Sequence, residues 1–277
     1  MAITTFSSQY ADVRHRTTDG LQALSLLILA VAQILSAQLP FILGWTETVS
    51  SQARAVETPL TPAGYTFAIW GVIYLWSLVF AIWQILPRQL HNPVVRRAGW
   101  PIAGAFLANA LWSWWVPQNG VDGVSFLIIV AGVTCACSAM LNLVRSETVL
   151  TRSEDVLMLM PVSLLAGWVS AAAFVNAASA VRLYGIDQLD PLRPDVAVGF
   201  ALTAMAFLLT LTRLGGQMFY ALAGMWALQG IIAANLDRGE AGLLTIVAGT
   251  GIALLAANLI WAKVRKPDEA KNLKPET

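Results

Sequence analysis

The sequence predicts an all-α fold, a polytopic membrane helix bundle of about eight crossings, and three observations carry that prediction. Only 12% of the 277 residues are charged and 57% are hydrophobic, whereas a soluble domain is roughly 25% charged. The charges are also clustered. Asp, Glu, Lys, Arg and His are missing from 20–46, 58–87, 98–121, 123–144, 156–181, 196–212, 214–236 and 241–262, windows of 17 to 30 residues, and about 20 apolar residues cross the hydrocarbon core as a helix. Backbone groups in hydrocarbon must find partners within their own segment, so each window is read as a helix. Third, eight crossings put both termini and 13 of the 17 Arg and Lys on one side, leaving Arg54, Arg182, Arg193 and Arg238 on the other. The positive-inside rule then predicts cytoplasmic N- and C-termini in an integral protein of the cell inner (cytoplasmic) membrane. The expected partner is the lipid bilayer, and a net charge of +1 gives no footing for nucleic acid.

The first crossing spans about Leu21 to Trp45, with Pro40 near its outer end as a kink or exit and Gln33 and Gln38 as amides along its length, beyond Gln22 at its start. A polar outer loop, 46–62, is longer than a simple turn, as lids and binding loops often are. It leads through Thr61-Pro62-Ala63-Gly64 into the second crossing, 64–86, which sets Tyr65, Phe67, Trp70 and Tyr74 near its start. Phe67, Trp70 and Tyr74 follow at +3 and +4, one face of a helix. Such a stripe is most simply core packing, and the polar and aromatic residues further along the chain favour a binding face. Trp83, Trp45, Trp100 and Trp261 sit where interfacial belt residues belong.

The third crossing, 100–116, carries Asn109 and Trp112 three apart on one face. An amide facing lipid is costly, so Asn109 points inward, to a neighbouring helix or to a ligand. Gly104 and Ala108 form a small-xxx-small pair that suits either a close contact within the chain or a homodimer face. The fourth crossing holds Cys135 and Cys137, two apart and so diverging on a helix, read as free thiols. The fifth carries Pro161, Trp168 and Asn176. The last two are eight apart, about two turns, and so lie on one face, with Ser and Ala between them that allow close approach. No set of ligands at metal spacing occurs around His15 or His91, so neither a metal centre nor a cofactor is expected.

In order and in helix assignment these clusters resemble the translocator protein, or tryptophan-rich sensory protein (TspO/MBR), family. The matching residues are Thr61, Pro62, Gly64, Phe67, Trp70 and Tyr74, then Asn109 and Trp112, then Pro161, Trp168 and Asn176. Leu60 and Ala63 replace the family's loop tryptophan and second proline, and Phe67 to Trp70 is one residue shorter than the usual spacing. The resemblance implies a five-helix bundle over 1–180, to which this chain adds a three-helix extension and a polar C-terminal tail over 181–277, the tail being expected to lack structure. It also implies an intra-bundle cavity, open toward the loop after the first crossing, for a flat hydrophobic small molecule such as a porphyrin or a sterol. For some members it implies porphyrin photodegradation involving tryptophans at the positions of Trp70 and Trp168.

The expected ligand-binding set is therefore Tyr65, Phe67, Trp70, Tyr74, Asn109, Trp112, Trp168 and Asn176, in a protein that binds, senses or carries a tetrapyrrole-like molecule. Two other classes stay open. An ion-coupled secondary transporter is disfavoured by crossings without carboxylates, and a porphyrin-degrading membrane enzyme needs chemistry other than acid/base catalysis, because no catalytic triad or Cys-His pair lies within them.

Overall fold

The computed structural model describes residues 2–146 and 148–272, with side chains over 17–146 and 148–261. Ten α-helices follow in order: α1 Ala2–Leu43, α2 Val49–Ala55, α3 Ile69–Gln84, α4 Pro93–Asn119, α5 Gly123–Val144, α6 Arg152–Glu154, α7 Met160–Leu183, α8 Pro194–Gly215, α9 Met218–Asp237 and α10 Leu243–Asn272. A 3₁₀ turn, Gly64–Ala68, leads into α3, and a π turn, Asp155–Leu159, joins α6 to α7. The described residues include no strand.

The all-α membrane bundle is what the sequence predicts, with one adjustment to the count. Among the described residues seven helical segments are long and apolar enough to cross a membrane by length and composition. The third expected crossing, α4, is not among them. It is 27 residues long, about 40 Å at 1.5 Å per residue, but Arg96, Arg97, Pro101, Pro117 and its tryptophans and amides dilute its apolar character. It nevertheless lies between α1 and α5, as a crossing would. The C-terminal tail, expected to lack structure, continues α10 as helix to Asn272, and residues 273–277 lie outside the described ones.

Helix ends follow local chemistry. Thr48 caps α2 through a capping box with Ser51, Asn92 caps α4 by accepting from the amides of Val94 and Val95 with Pro93 at the first position, and Asp122 accepts from the Ser125 amide at the start of α5. These side chains satisfy N–H groups that have no partner within the helix. Gly120, at φ 84°, ends α4 in a conformation that a side chain would strain.

The hub is α7. It packs against α3, α5, α8 and α9, and most of its length is buried. Small residues make this possible. Gly167 lies so close to the Tyr220 carbonyl of α9 that an added Cβ would overlap it, and the Tyr220 hydroxyl donates to Ser170 Oγ at 3.1 Å. One hydrophobic core thus runs from Leu26 on α1 to Leu255 on α10 without a break. The Gly104 and Ala108 pair is used within the chain: a Cβ on Gly104 would meet Cys135 Sγ of α5 at 2.8 Å, and a Cβ on Gly132 of α5 would meet Ala108 at 3.3 Å. Cys135 and Cys137 are free thiols.

Candidate functional site

The loop before α3 is built to hold its shape. Thr58 and Thr61 are buried and cap each other: the Thr58 amide donates to Thr61 Oγ1 at 3.0 Å, and the Thr61 amide to the Thr58 carbonyl at 2.9 Å. Phe67 lies in the 3₁₀ turn that follows and Trp70 in the first turn of α3, three residues on. Both present edges to Trp168 of α7, Phe67 with ring centroids 6.2 Å apart at 83° and Trp70 at 6.0 Å and 90°. Tyr74, one turn on, stacks on Trp70 at 5.3 Å and 19°. Four of the eight expected residues, Phe67, Trp70, Tyr74 and Trp168, therefore form one aromatic pile between α3 and α7, with edge-to-face contacts that ring quadrupoles favour.

Trp112 and Asn176 join it from α4 and α7. Phe67, Trp112, Trp168 and Asn176 line a common apolar hollow, closed on the far side by Leu208 of α8, Leu228 and Ile231 of α9, and Leu244 of α10. Trp112, Trp168 and Asn176 are buried. Asn176 Oδ1 accepts from Ser125 Oγ at 3.1 Å. The indole N–H groups of Trp112 and Trp168 have no acceptor and no solvent exposure.

The other two expected residues do not line the hollow, although Asn109 borders the pile beside Trp70, Tyr74 and Trp112. Asn109 donates to Gln33 Oε1 of α1 at 2.9 Å and borders only a narrow crevice of about 10 Å³ beside Trp70. Tyr65 is 48% exposed and faces α9, with its ring edge-on to Trp226 at 5.9 Å and its hydroxyl donating to Gln229 Oε1 at 2.8 Å.

Tyr65 belongs to a clamp. The Ala63 amide donates to the Gly230 carbonyl at 3.0 Å, Trp226 Nε1 to the Thr66 carbonyl at 2.9 Å, and Asn235 Nδ2 to the Pro59 carbonyl at 2.8 Å, while Arg238 pairs with Glu57. Thr66 packs so tightly on Gly230 that a Cβ there would overlap its methyl group. The extension thus grips the loop that leads into the aromatic pile. Gln229 and Asn235 were visible in the sequence as amides inside charge-free windows, which need partners. Trp226 and Gly230 carried no signal, since their roles depend on contacts more than 150 positions away.

A family model described as "TSPO-like protein" matches residues 20–261. The chain belongs to the TSPO-like protein family. The match runs through the pile, the hollow and the clamp, and takes in the last three crossings as well as the first five. No curated protein and no solved structure matches the chain. Family membership and the helical bundle make this an integral membrane protein.

In this TSPO-like chain the hollow is about 70 Å³, room for a few water molecules, while small-molecule sites typically run to about 300–1,000 Å³. As it stands the hollow is therefore too small for a ring. A groove of about 620 Å³, lined by Phe126, Val130, Ser170, Phe174, Thr203 and Phe207, opens between α5, α7 and α8. Its hydroxyls are already spent on their own helices: Ser170 Oγ donates to the Ala166 carbonyl at 2.6 Å and Thr203 Oγ1 to that of Gly199 at 2.8 Å. It offers volume and little specificity, and acyl chains suit it. The smaller hollow has the unsatisfied donors. Among the described residues no cluster of His, Cys, Asp and Glu could hold a metal ion.

Proposed function

We propose that this TSPO-like protein binds a flat hydrophobic molecule, a porphyrin or a sterol-like ring system, in the hollow between Phe67, Trp112, Trp168 and Asn176, in order to sense or carry it. The observation that carries this reading is the pair of buried indole N–H groups, on Trp112 and Trp168, without acceptors in the wall of one apolar hollow. A buried donor left unpaired is unfavourable, and a ring with peripheral oxygens would satisfy both donors while its face lies on the indoles. Because the closed hollow is too small for a ring, binding requires the loop 56–68 to leave α9. The clamp then sets how often the site is open, and the ligand selects the open form. In the membrane, with the termini cytoplasmic, that loop faces the extracytoplasmic side.

The test is quenching of tryptophan fluorescence by protoporphyrin in the purified full-length protein, with Trp112→Phe and Trp168→Phe beside the wild type. Saturable quenching, weakened in both variants, is expected. Quenching equally strong in both removes the hollow as the site. Illumination of the complex then separates binding from turnover, since a porphyrin spectrum that decays with wild type and persists with Trp168→Phe marks photodegradation.

A further inference from the structure

A second pocket, of about 550 Å³, lies where the C-terminal ends of α7 and α9 meet the N-terminal ends of α8 and α10 and the loop residues Glu57 to Pro59. Four charged side chains line it: Arg182, Arg238, Glu57 and Glu240. Arg238 takes up both acids, through Nη1 to Glu57 Oε1 at 2.5 Å and Nε to Glu240 Oε2 at 3.4 Å. Its Nη2 remains buried without a partner. Arg182, in the last turn of α7, has a buried Nη1 with no acceptor, and among the described residues it makes no ion pair. The four charges of the pocket sum to zero, with both carboxylates on Arg238, so what the pocket offers is a guanidinium donor without an acceptor on Arg182 and a spare one on Arg238. Arg182 is half-buried as a residue, so its guanidinium stays partly hydrated, and an acceptor in the pocket would satisfy the one nitrogen that water does not reach. The first residues of α10, Leu243 and Leu244, also line the pocket, and the positive ends of α8 and α10 face the negative ends of α7 and α9 there, so the helix dipoles roughly cancel and the guanidinium donors carry the preference for an anion. The rest of the wall is largely apolar, with Leu192, Pro194, Ala197 and Val198.

We propose that Arg182 and Arg238 form a binding site for the acidic group, carboxylate or phosphate, of an amphiphile whose apolar part rests on the α8 and α10 residues. The guanidinium fork suits both groups, because either can accept two parallel N–H bonds. Leu244 lines both this pocket and the ring hollow, so the acid can belong to the hollow's own ligand, as a propionate on a tetrapyrrole does, or to a membrane lipid headgroup. The site stands on its own residues and does not depend on the ring hollow being occupied.

The experiment uses the full chain in uncharged detergent micelles with two pairs of probes. One pair is protoporphyrin and its dimethyl ester, read by tryptophan quenching. The other is short-chain phosphatidylglycerol and phosphatidylcholine, read by the thermal unfolding temperature. The anionic member of at least one pair is expected to bind about tenfold more tightly, the scale of a hydrogen-bonded ion pair, and the pair that shows the preference identifies the source of the acid. Arg182→Gln is expected to abolish that preference and to leave the neutral member unaffected. Arg182→Lys keeps part of it, because the charge remains and the fork does not. Arg193→Gln, an exposed arginine paired with Asp195 at the same end of the bundle, keeps all of it. Equal affinities within both pairs, already in the wild type, overturn the proposal, as does an equal loss in Arg193→Gln. Porphyrin that fails to quench at all counts against the ring hollow, while the lipid pair still decides the anion site.

Discussion

The clamp predicts that a destabilising mutation should tighten binding. At Gly230 an added Cβ overlaps the Thr66 methyl and meets Pro62 Cβ at 3.1 Å and Thr66 Cβ at 3.2 Å. Thr66 cannot swing aside, because it is fully buried and its hydroxyl donates to the Ala63 carbonyl at 2.5 Å, and a β-branched side chain is stiff at χ1. Gly230→Ala must therefore lift the loop off α9, stretching the Ala63 amide, Trp226 and Tyr65 hydrogen bonds together. At about 0.6–1 kcal/mol each, their loss weakens closure by about 2–3 kcal/mol, less about 1 kcal/mol that alanine returns in helix propensity. A closed form weakened by about 1–2 kcal/mol is about 5- to 30-fold less favoured, and the apparent Kd of a ligand that needs the open form falls by up to that factor. Stopped-flow tryptophan quenching with protoporphyrin measures this, beside Gly71→Ala, where nothing lies within 4 Å of the new methyl. The account expects Gly230→Ala to lower the unfolding temperature and raise affinity, and Gly71→Ala to do neither. Weaker binding in Gly230→Ala, or affinities equal to wild type despite a lowered unfolding temperature, would refute the idea that the loop gates the hollow.

Three further outcomes follow from the packing. Gly167→Ala sets a Cβ onto the Tyr220 backbone and 2.9 Å from Ala223 Cβ; neither can yield without α7 and α9 parting, so thermal unfolding in detergent should show a loss of about 1–3 kcal/mol or more. Tyr220→Phe removes only the bond to Ser170 and should lose about 0.6–1.7 kcal/mol by chemical denaturation in micelles. Asn109→Ala and Asn176→Ala separate structure from binding: the first breaks the contact with Gln33 and should lower stability with porphyrin affinity unchanged, whereas the second alters the wall of the hollow and should weaken affinity in the same quenching titration.

The bundle was legible because charge is so costly in hydrocarbon that its absence marks each crossing. Local spacing was legible too: Phe67 and Trp70 meet Trp168, and Tyr74 stacks on Trp70, because three- and four-residue steps along a helical segment leave little freedom. Relations between distant segments were not. Tyr65 belongs by spacing with the stripe, yet Trp226 and Gln229, over 160 positions away, draw it to α9. Asn109 shares a face with Trp112, but only the packing of α1 on α4 shows that Gln33 takes up its amide. The glycines at 167 and 230 sit among many small residues, and nothing local indicates which of them has another helix's backbone or a threonine against it. The size of the hollow was illegible for the same reason, since volume is set by how six helices interlock. Arg182 and Arg238 are two ordinary loop-end arginines until the fold shows that Glu57 and Glu240 are both spent on one of them.

The most direct test of the central claim is a structure of the full-length protein with protoporphyrin bound. The account predicts the ring between Trp112 and Trp168, with the hollow enlarged from about 70 Å³ to the several hundred that a ligand of this size needs and residues 56–68 drawn away from Gly230. A ring lodged instead in the groove between Phe126 and Phe207, with the loop still on α9 and the hollow still closed, would contradict it.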